Sequence, residues 1–314
     1  MIICLGTTPT VQRTMSFDTL AIGGVNRAYA VHEFASGKAV NAARVLHALG
    51  MPAMAVGFVG GDRGQRIRKG LETSGIPHDF LDVAPRTRLC VTINDRNRRE
   101  STELVEEAAP VDEGDYARLL EKLAEHLPSA KVLLLAGSMP PNAPNDFYAD
   151  CCRLATAHDA RVILDARGEA LKRALAAGPL VVKPNRDELA ETLGQAVGSQ
   201  RHAMDAMRQL QQGGAGWVVV TRGPGGAMMT DGERFWDVPA PRVEAVSAVG
   251  SGDAFAAGLA FELASDRPVD VETMVRAMAF ATACGTANAV TPFAGHIDLA
   301  TLRRVQHETH VRLI

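Results

Sequence analysis

The sequence predicts an α/β protein, a mostly parallel β-sheet lying between layers of helices, with a small second sheet attached to it. Three observations carry the prediction. Continuous apolar runs such as Leu133-Leu134-Leu135 and Val218-Val219-Val220 have the composition of strands covered on both faces. From Asp112 onward such runs alternate with helical stretches of roughly 10–15 residues, the order that builds parallel sheets. The segments at about 11–34 and 86–106 have no helical period and read instead as short, partly exposed strands.

Taken in order, residues 1–6 form a buried strand that ends at Gly6 and the turn Thr7-Thr8-Pro9-Thr10. After the glycine-punctuated stretch 11–34, Ser36-Gly37-Lys38 opens a helix from Ala39 to Leu49, closed by Gly50. Met54 to Val59 is a strand, and Arg63 to Thr73 a helix stopped by Ser74-Gly75-Ile76-Pro77. Arg88 to Asn94 and Glu100 to Val105 pair like a hairpin around the charged tip Asp95-Arg96-Asn97-Arg98-Arg99, which is read as a solvated loop. The second half carries helices at 112–126, 145–158, 168–176, 186–193 and 200–212. Strands at 131–136, 161–165, 180–183 and 217–221 separate them, and strands near 226–230 and 233–238 form an antiparallel edge. A helix of small residues at 252–264, a long helix at 271–289 and a terminal helix from Leu299 complete the chain.

With 314 residues, no internal repeat and no low-complexity linker, the chain is expected to form one domain, residues 1–314. The net charge of −3 offers no basic footprint for nucleic acid. No apolar run approaches the length of a membrane span, and the N-terminus lacks the basic flank of a signal peptide. Five cysteines without a CxxC pair suggest neither a disulfide framework nor a zinc site, so a reduced, cytoplasmic setting is expected. Cys90 and Cys284 read as buried small hydrophobes, and the nine histidines show no metal-ligand spacing.

Chemistry is expected beyond the carboxyl ends of the parallel strands. Polar and glycine residues recur there: Gly137-Ser138-Met139-Pro140-Pro141, Asp165, Lys183-Pro184-Asn185 and Thr221-Arg222-Gly223. In Val249-Gly250-Ser251-Gly252-Asp253, two glycines around one small residue allow the N–H groups of a helix start to converge on an anion. Asp253 stands in the first helical turn, where the helix dipole favours the carboxylate and should keep it ionised at neutral pH. An ionised acid beside an anion cradle suits phosphoryl transfer to an alcohol, although a plain capped helix has the same appearance. Lys183 and Asn185 can meet phosphate oxygens, and Glu188 can face magnesium or its waters; Asn185 and Glu188 can equally form a capping pair. Neither GxxxxGK[ST] nor GxGxxG occurs, which disfavours a P-loop enzyme and a dehydrogenase.

Val249-Gly250-Ser251-Gly252-Asp253 resembles the G-A-G-D signature of the PfkB carbohydrate kinase (ribokinase-like) family, and Lys183-Pro184-Asn185 with Glu188 its K-P-N-x-x-E motif. Ala136-Gly137-Ser138-Met139-Pro140-Pro141 is similar to the S-G-S-L-P-P segment of its hexose-phosphate members, and Gly24-Val25-Asn26-Arg27, Thr87-Arg88 and Ser101-Thr102-Glu103-Leu104 also resemble segments of the 1-phosphofructokinase and tagatose-6-phosphate kinase branch. The resemblance implies a three-layer ribokinase-like fold with a β-sheet lid, a kinase that uses ATP and Mg2+, and a sugar-phosphate acceptor such as fructose 1-phosphate, fructose 6-phosphate or tagatose 6-phosphate. It implies Asp253 as the base and Gly250, Ser251 and Gly252 as the anion hole. Lys183, Asn185 and Glu188 would serve the ATP phosphates and metal, and Thr221 and Gly223 would line the nucleotide. Gln12, Gly37, Lys38 and Asn41 would face the sugar; Arg27 and Arg88, with Ser138, would hold the phosphate it already carries. Segments 11–34 and 86–106 would form the lid, a possible homodimer contact.

The chain departs from that pattern in two stretches. Thr8-Pro9-Thr10-Val11-Gln12 replaces N-P-A-x-D, so an amide stands where the branch has an acid. Ser36-Gly37-Lys38-Ala39 replaces G-G-K-G. These changes leave open a kinase of an unphosphorylated sugar or nucleoside, or a non-catalytic sensor on the same fold. The sugar, the hydroxyl phosphorylated and the oligomer are not readable from the sequence.

Overall fold

A computed structural model describes residues 1–98 and 100–314. The N-terminal half runs β1 (Ile2–Gly6), β2 (Thr10–Phe17), β3 (Ala30–Ser36), α1 (Lys38–Ala48), β4 (Ala53–Val59), α2 (Gly61–Thr73), β5 (His78–Asp82), β6 (Arg88–Asp95), β7 (Glu100–Val105) and α3 (Glu113–His126). The βα alternation follows with β8 (Val132–Ala136), α4 (Phe147–Ala157), β9 (Arg161–Asp165), α5 (Gly168–Leu175), β10 (Val181–Val182), α6 (Arg186–Leu193), α7 (Gln200–Gln212) and β11 (Trp217–Thr221). Last come β12 (Ala227–Thr230), β13 (Phe235–Val238), α8 (Ser251–Leu263), α9 (Val271–Ala289), α10 (Leu299–Glu308) and β14 (Arg312–Leu313).

Ten strands form the main sheet in the order β14-β13-β12-β11-β10-β9-β8-β1-β4-β5. From β11 to β5 every pair is parallel, whereas β12, β13 and β14 extend it antiparallel. The strands are apolar throughout because both faces are covered. Ile2 and Cys4 of β1, with Val132 and Leu134 of β8, pack into one cluster with α1, α2, α8, α9 and α10. Ile3 and Leu5, with Leu133 and Leu135, pack into the other with α3 to α7. Successive side chains thus serve opposite helical layers, the three-layer arrangement expected of a parallel sheet.

A separate four-stranded sheet has the order β3-β2-β6-β7. It grows directly out of the main sheet: β1 leads through Thr7–Pro9 into β2, and β3 leads through Gly37 into α1. The expected hairpin is the antiparallel pair β6 and β7, and the tip residues Arg96, Asn97 and Arg98 are exposed. Arg99, the last residue of that charged run, lies outside the described residues.

Several boundaries differ from the sequence reading. The helix expected from Arg63 starts at Gly61, and the small-residue helix starts at Ser251. The strand expected over 180–183 is reduced to Val181–Val182, because Pro179 and Pro184 on either side carry no N–H for a ladder. β5 and β14 were not expected at all. β5 is an edge strand with polar flanks, and β14 is two residues held by pairing with β13.

Candidate active site

Strand order reverses around β1, whose neighbours are β8 and β4. At such a point adjoining strands send their connections to opposite faces and leave a crevice beyond their carboxyl ends. The ends of β1, β8, β9, β10 and β11 bring Thr8, Ser138, Asp165, Lys183 and Thr221 to this edge. Helices α1 and α8 begin there as well. Each is preceded by a glycine at positive φ, Gly37 at 111° and Gly250 at 83°. A Cβ on Gly250 would lie 2.7 Å from Ala294 Cα and from the Gly295 nitrogen, so only glycine lets the backbone turn into α8 so close to that loop.

The α8 start has the form of an anion cradle. The Ser251 N–H returns to the Ala248 carbonyl at 3.1 Å, and the Asp253 N–H to the Gly250 carbonyl at 3.1 Å. The N–H groups of Gly250 and Gly252 have no partner among the described residues. Lys183 Nζ would stand 3.8 Å from a Cβ on Gly252, adding a cation beside these donors. Ser251 is steadied by Asn288, whose Nδ2 donates to Val249 O at 2.9 Å and to Ser251 Oγ at 3.3 Å; Asn288 Oδ1 accepts from the Gly295 N–H at 2.9 Å.

Asp253 is 8% exposed, and its Oδ2 accepts from Asn41 Nδ2 at 2.8 Å. The helix dipole was expected to govern its charge, but burial has the larger effect. Burial pushes its pKa up to about 6, with nearby Asp165 adding to the rise while Lys38, Asn41 and Lys183 oppose it. At pH 7 the carboxylate still predominates about ten to one. A base poised near neutrality is suited to accept and release a proton.

Lys38 occupies the centre of the crevice. Its Nζ lies 3.0 Å from Asp165 Oδ1 and 3.0 Å from Glu188 Oε1, and Lys183 lies 3.1 Å from the second Asp165 oxygen. Burial would lower the Lys38 pKa, but Asp165, Glu188 and Asp253 outweigh it and hold the ammonium above the usual lysine range. Burial likewise acts to raise Asp165, and the charges of Lys183 and Lys38 overcome it, so its carboxyl sits below the usual range. The capping pair foreseen for α6 is formed: Asn185 Oδ1 accepts from the Glu188 N–H at 2.8 Å and Glu188 Oε2 from the Asn185 N–H at 2.8 Å. Both Glu188 oxygens are therefore engaged, and the described residues contain no cluster of three acids, cysteines or histidines that would cage a metal. This donor set fits a Mg2+ carried on substrate phosphates and reached through its waters, since that ion keeps much of its hydration shell.

On the lid side, Gln12 is buried on β2 and its Nε2 donates to Thr92 Oγ1 at 2.8 Å. Thr8 Oγ1 donates to Ser138 O at 3.0 Å and lies 3.4 Å from Ser138 Oγ, while Arg88 Nη2 donates to Thr8 O at 3.0 Å. The Arg88 Nε is buried without a hydrogen-bond partner among the described residues. Arg27, by contrast, is exposed in the segment between β2 and β3, and no hydrogen bond or ion pair joins it to the other residues described. Thr221 ends β11 and bridges to Asn185, and Gly223 is exposed in the turn that follows.

Sequence reasoning passed over Asn288 and gave Asp165 no role. Asp165 is a single acid at a strand end, where its only signal was position. Asn288 is a fully buried amide in an otherwise small and apolar stretch of α9, an anomaly that could have marked it.

The crevice thus holds two lysines, three acids and a helix-start anion cradle beneath a small sheet on a three-layer α/β fold. The profile of the pfkB family carbohydrate kinases matches residues 2–295, and the chain belongs to that family. It superposes on Escherichia coli phosphofructokinase-2 in complex with potassium with a TM-score of 0.88 at 25% identity, covering 98% of each chain. A Staphylococcus aureus protein provisionally described as a phosphofructokinase is 29% identical, with a TM-score of 0.79 over 100% of this chain and 99% of that one. A Thermotoga maritima protein described as a possible 1-phosphofructokinase shares the fold, with a TM-score of 0.87 at 21% identity over 100% and 99% of the two chains. No helix among the described residues is long and apolar enough to cross a membrane.

Proposed function

We propose that this sugar kinase transfers the γ-phosphoryl group of ATP to a hydroxyl of a sugar phosphate and produces a bisphosphate. The observation that carries this reading is the meeting of Asp253 with two free N–H groups at the α8 start and with Lys183 beside Gly252. Asp253 takes the proton of the acceptor hydroxyl as its oxygen bonds to the γ-phosphorus and the bond to ADP breaks. The Gly250 and Gly252 N–H groups receive the charge on the phosphoryl oxygens, while the Ser251 N–H, already bonded to the Ala248 carbonyl, only fixes the turn between them. Lys183 holds the phosphate chain, and Thr221 and Gly223 border the nucleotide. When bound, Mg2+ would neutralise phosphate charge, with Asn185 and Glu188 addressing its waters.

On the acceptor side, Asn41, Gly37 and Lys38 line the sugar, and the Gln12 carbonyl is available to a sugar hydroxyl. The Arg88 Nε, buried and unpartnered among the described residues, supports a phosphate already on the sugar, with Ser138 beside it and Arg27 joining when the lid closes. The four-stranded sheet, with its segments at 11–34 and 86–106, acts as that lid within one domain of residues 1–314, and closure excludes water from the γ-phosphoryl.

The lid presents Ile22, Val25 and Tyr29 in the segment between β2 and β3, and Val31 and Leu104 on the sheet face opposite Gln12, all more than half exposed. We infer that a second copy covers it. Sedimentation should show a dimer at micromolar protein and a monomer for the Val31→Glu, Leu104→Glu double variant; a monomeric native chain would remove this assignment.

The function is tested by coupled ADP release with ATP and fructose 6-phosphate, fructose 1-phosphate or tagatose 6-phosphate. One of them should turn over, and Asp253→Asn should bind both substrates yet lose roughly 10²–10⁴-fold in kcat. Turnover confined to unphosphorylated sugars or nucleosides would discard the sugar-phosphate acceptor.

A further inference from the structure

Asn41 lies between the lid end of the site and Asp253, and an amide can face either way in its pocket. Here it is 4% exposed, and a Cβ on Gly295 would come within 2.7 Å of its Cα and Cβ. Its Oδ1 accepts from Ser36 Oγ at 3.0 Å and from Arg44 Nη1 at 3.2 Å, while its Nδ2 donates to Asp253 Oδ2 at 2.8 Å. A guanidinium has donors and no acceptor. Turning the amide over would set N–H2 against the Arg44 N–H and carbonyl oxygen against carboxylate oxygen. Arg44 cannot readily move to accommodate that, since it also donates to Ala294 O at 3.3 Å and to Ala35 O, with its guanidinium 5.9 Å from the centre of the Phe34 ring.

We propose that Ser36 and Arg44 are positioning residues for phosphoryl transfer: they hold the carbonyl end of Asn41, so that its N–H2 end faces Asp253 and keeps that carboxylate charged and in one orientation. The proposal deepens the assignment of Asp253 as proton acceptor and rests on it. Ser36 stands where the family pattern has glycine, which has no hydroxyl to donate. It is also the last residue of β3, so the lid sheet reaches the base through one side chain.

The other charges around Asp253 are Lys38 on α1, Asp165 at the end of β9 and Lys183 after β10. Behind Asn41 stands Arg44, whose pKa burial lowers to about 10, so that it remains a cation throughout the working range. His296 beside it is neutral, its pKa pushed down to about 4 by burial and by the Arg44 charge. Lys38, Asp165, Arg44 and His296 are thus all displaced from the range in which Asp253 titrates.

The test is the pH profile of kcat/KM for the native chain, Ser36→Ala, Arg44→Met and Arg44→Lys with one substrate pair, so that substrate ionisation is common to all. Loss of a hydrogen bond to the charged form should move the acid limb of Arg44→Met up by about one pH unit, with roughly fivefold less activity near pH 6 and little change near pH 8.5. Ser36→Ala should shift in the same direction by less, and Arg44→Lys should move the limb back toward the native position. The same shift should appear without substrate, in the pH dependence of the Tm difference between each variant and its double with Asp253→Asn. An unmoved limb, or a loss equal at every pH, overturns the proposal. Asp253→Asn separates the two levels: if it retains turnover, the base assignment fails and the proposal with it. If it is inactive while the limbs coincide, only the role of Ser36 and Arg44 fails.

Discussion

At Asp253 the burial that suits the proposed proton acceptor opposes stability. Its carboxyl titrates near 3.8 ordinarily and at about 6 in the fold, because burial disfavours the charge. Between those values the folded chain binds more protons than the unfolded one. The stability associated with the protonated group is therefore complete below about pH 4 and lost as the pH rises through about 6. Asparagine is uncharged throughout and does not incur that loss. Asp253→Asn should therefore be more stable than the native chain at pH 8 by about 1–3 kcal/mol, with the gain absent at pH 4. Thermal melts at the two pH values check this, and an equal or lower Tm at pH 8 would show that the lysines, not burial, set its charge. The residues most legible in the sequence were those in short motifs with glycine or proline landmarks: Asp253, Lys183, Asn185 and Glu188. Asp165 was less legible because its importance comes from Lys38 and Lys183, which reach it from distant parts of the chain.

Among the elements, α8 and α9 show why a helix of alanine and glycine lies beside the site. A Cβ on Gly258 would come within 2.7 Å of Ala281 Cα, and one on Gly285 within 3.1 Å of the Ser251 carbonyl. Small residues allow the two helix backbones to approach so closely that the α8 start is fixed against its neighbours. Gly250→Ala would meet backbone atoms and also require a left-handed residue with a side chain. It should cost about 2–4 kcal/mol in urea unfolding, and a loss below about 0.5 kcal/mol would show a loosely packed α8 start. The long helices and central strands were legible because periodicity and apolar runs report burial directly. β5 escaped because its mixture of His78, Asp79, Phe80, Leu81 and Asp82 suits a sheet edge, where Asp79 faces solvent enough to pair with Lys122 and His126. The shortening of β10 follows from two prolines whose effect on length becomes plain only beside β9 and β11.

In the whole molecule, apolar side chains fill two layers separated by one sheet, and the second sheet stands over the crevice between strand ends. The broad division was readable because the lid segments break the βα rhythm twice, at 11–34 and 86–106. All five cysteines are buried in this architecture. Cys4 and Cys284 lie in one layer and Cys151 and Cys152 in the other, while Cys90 is in the lid. Burial raises the thiol pKa of Cys4, Cys151, Cys152 and Cys284, and so suppresses the reactive thiolate. The native chain thus presents a thiol reagent with no ready target. The rate at which each sulfur becomes reactive would therefore report the opening of its own surroundings, the lid at Cys90, one layer at Cys4 and Cys284 and the other at Cys151 and Cys152.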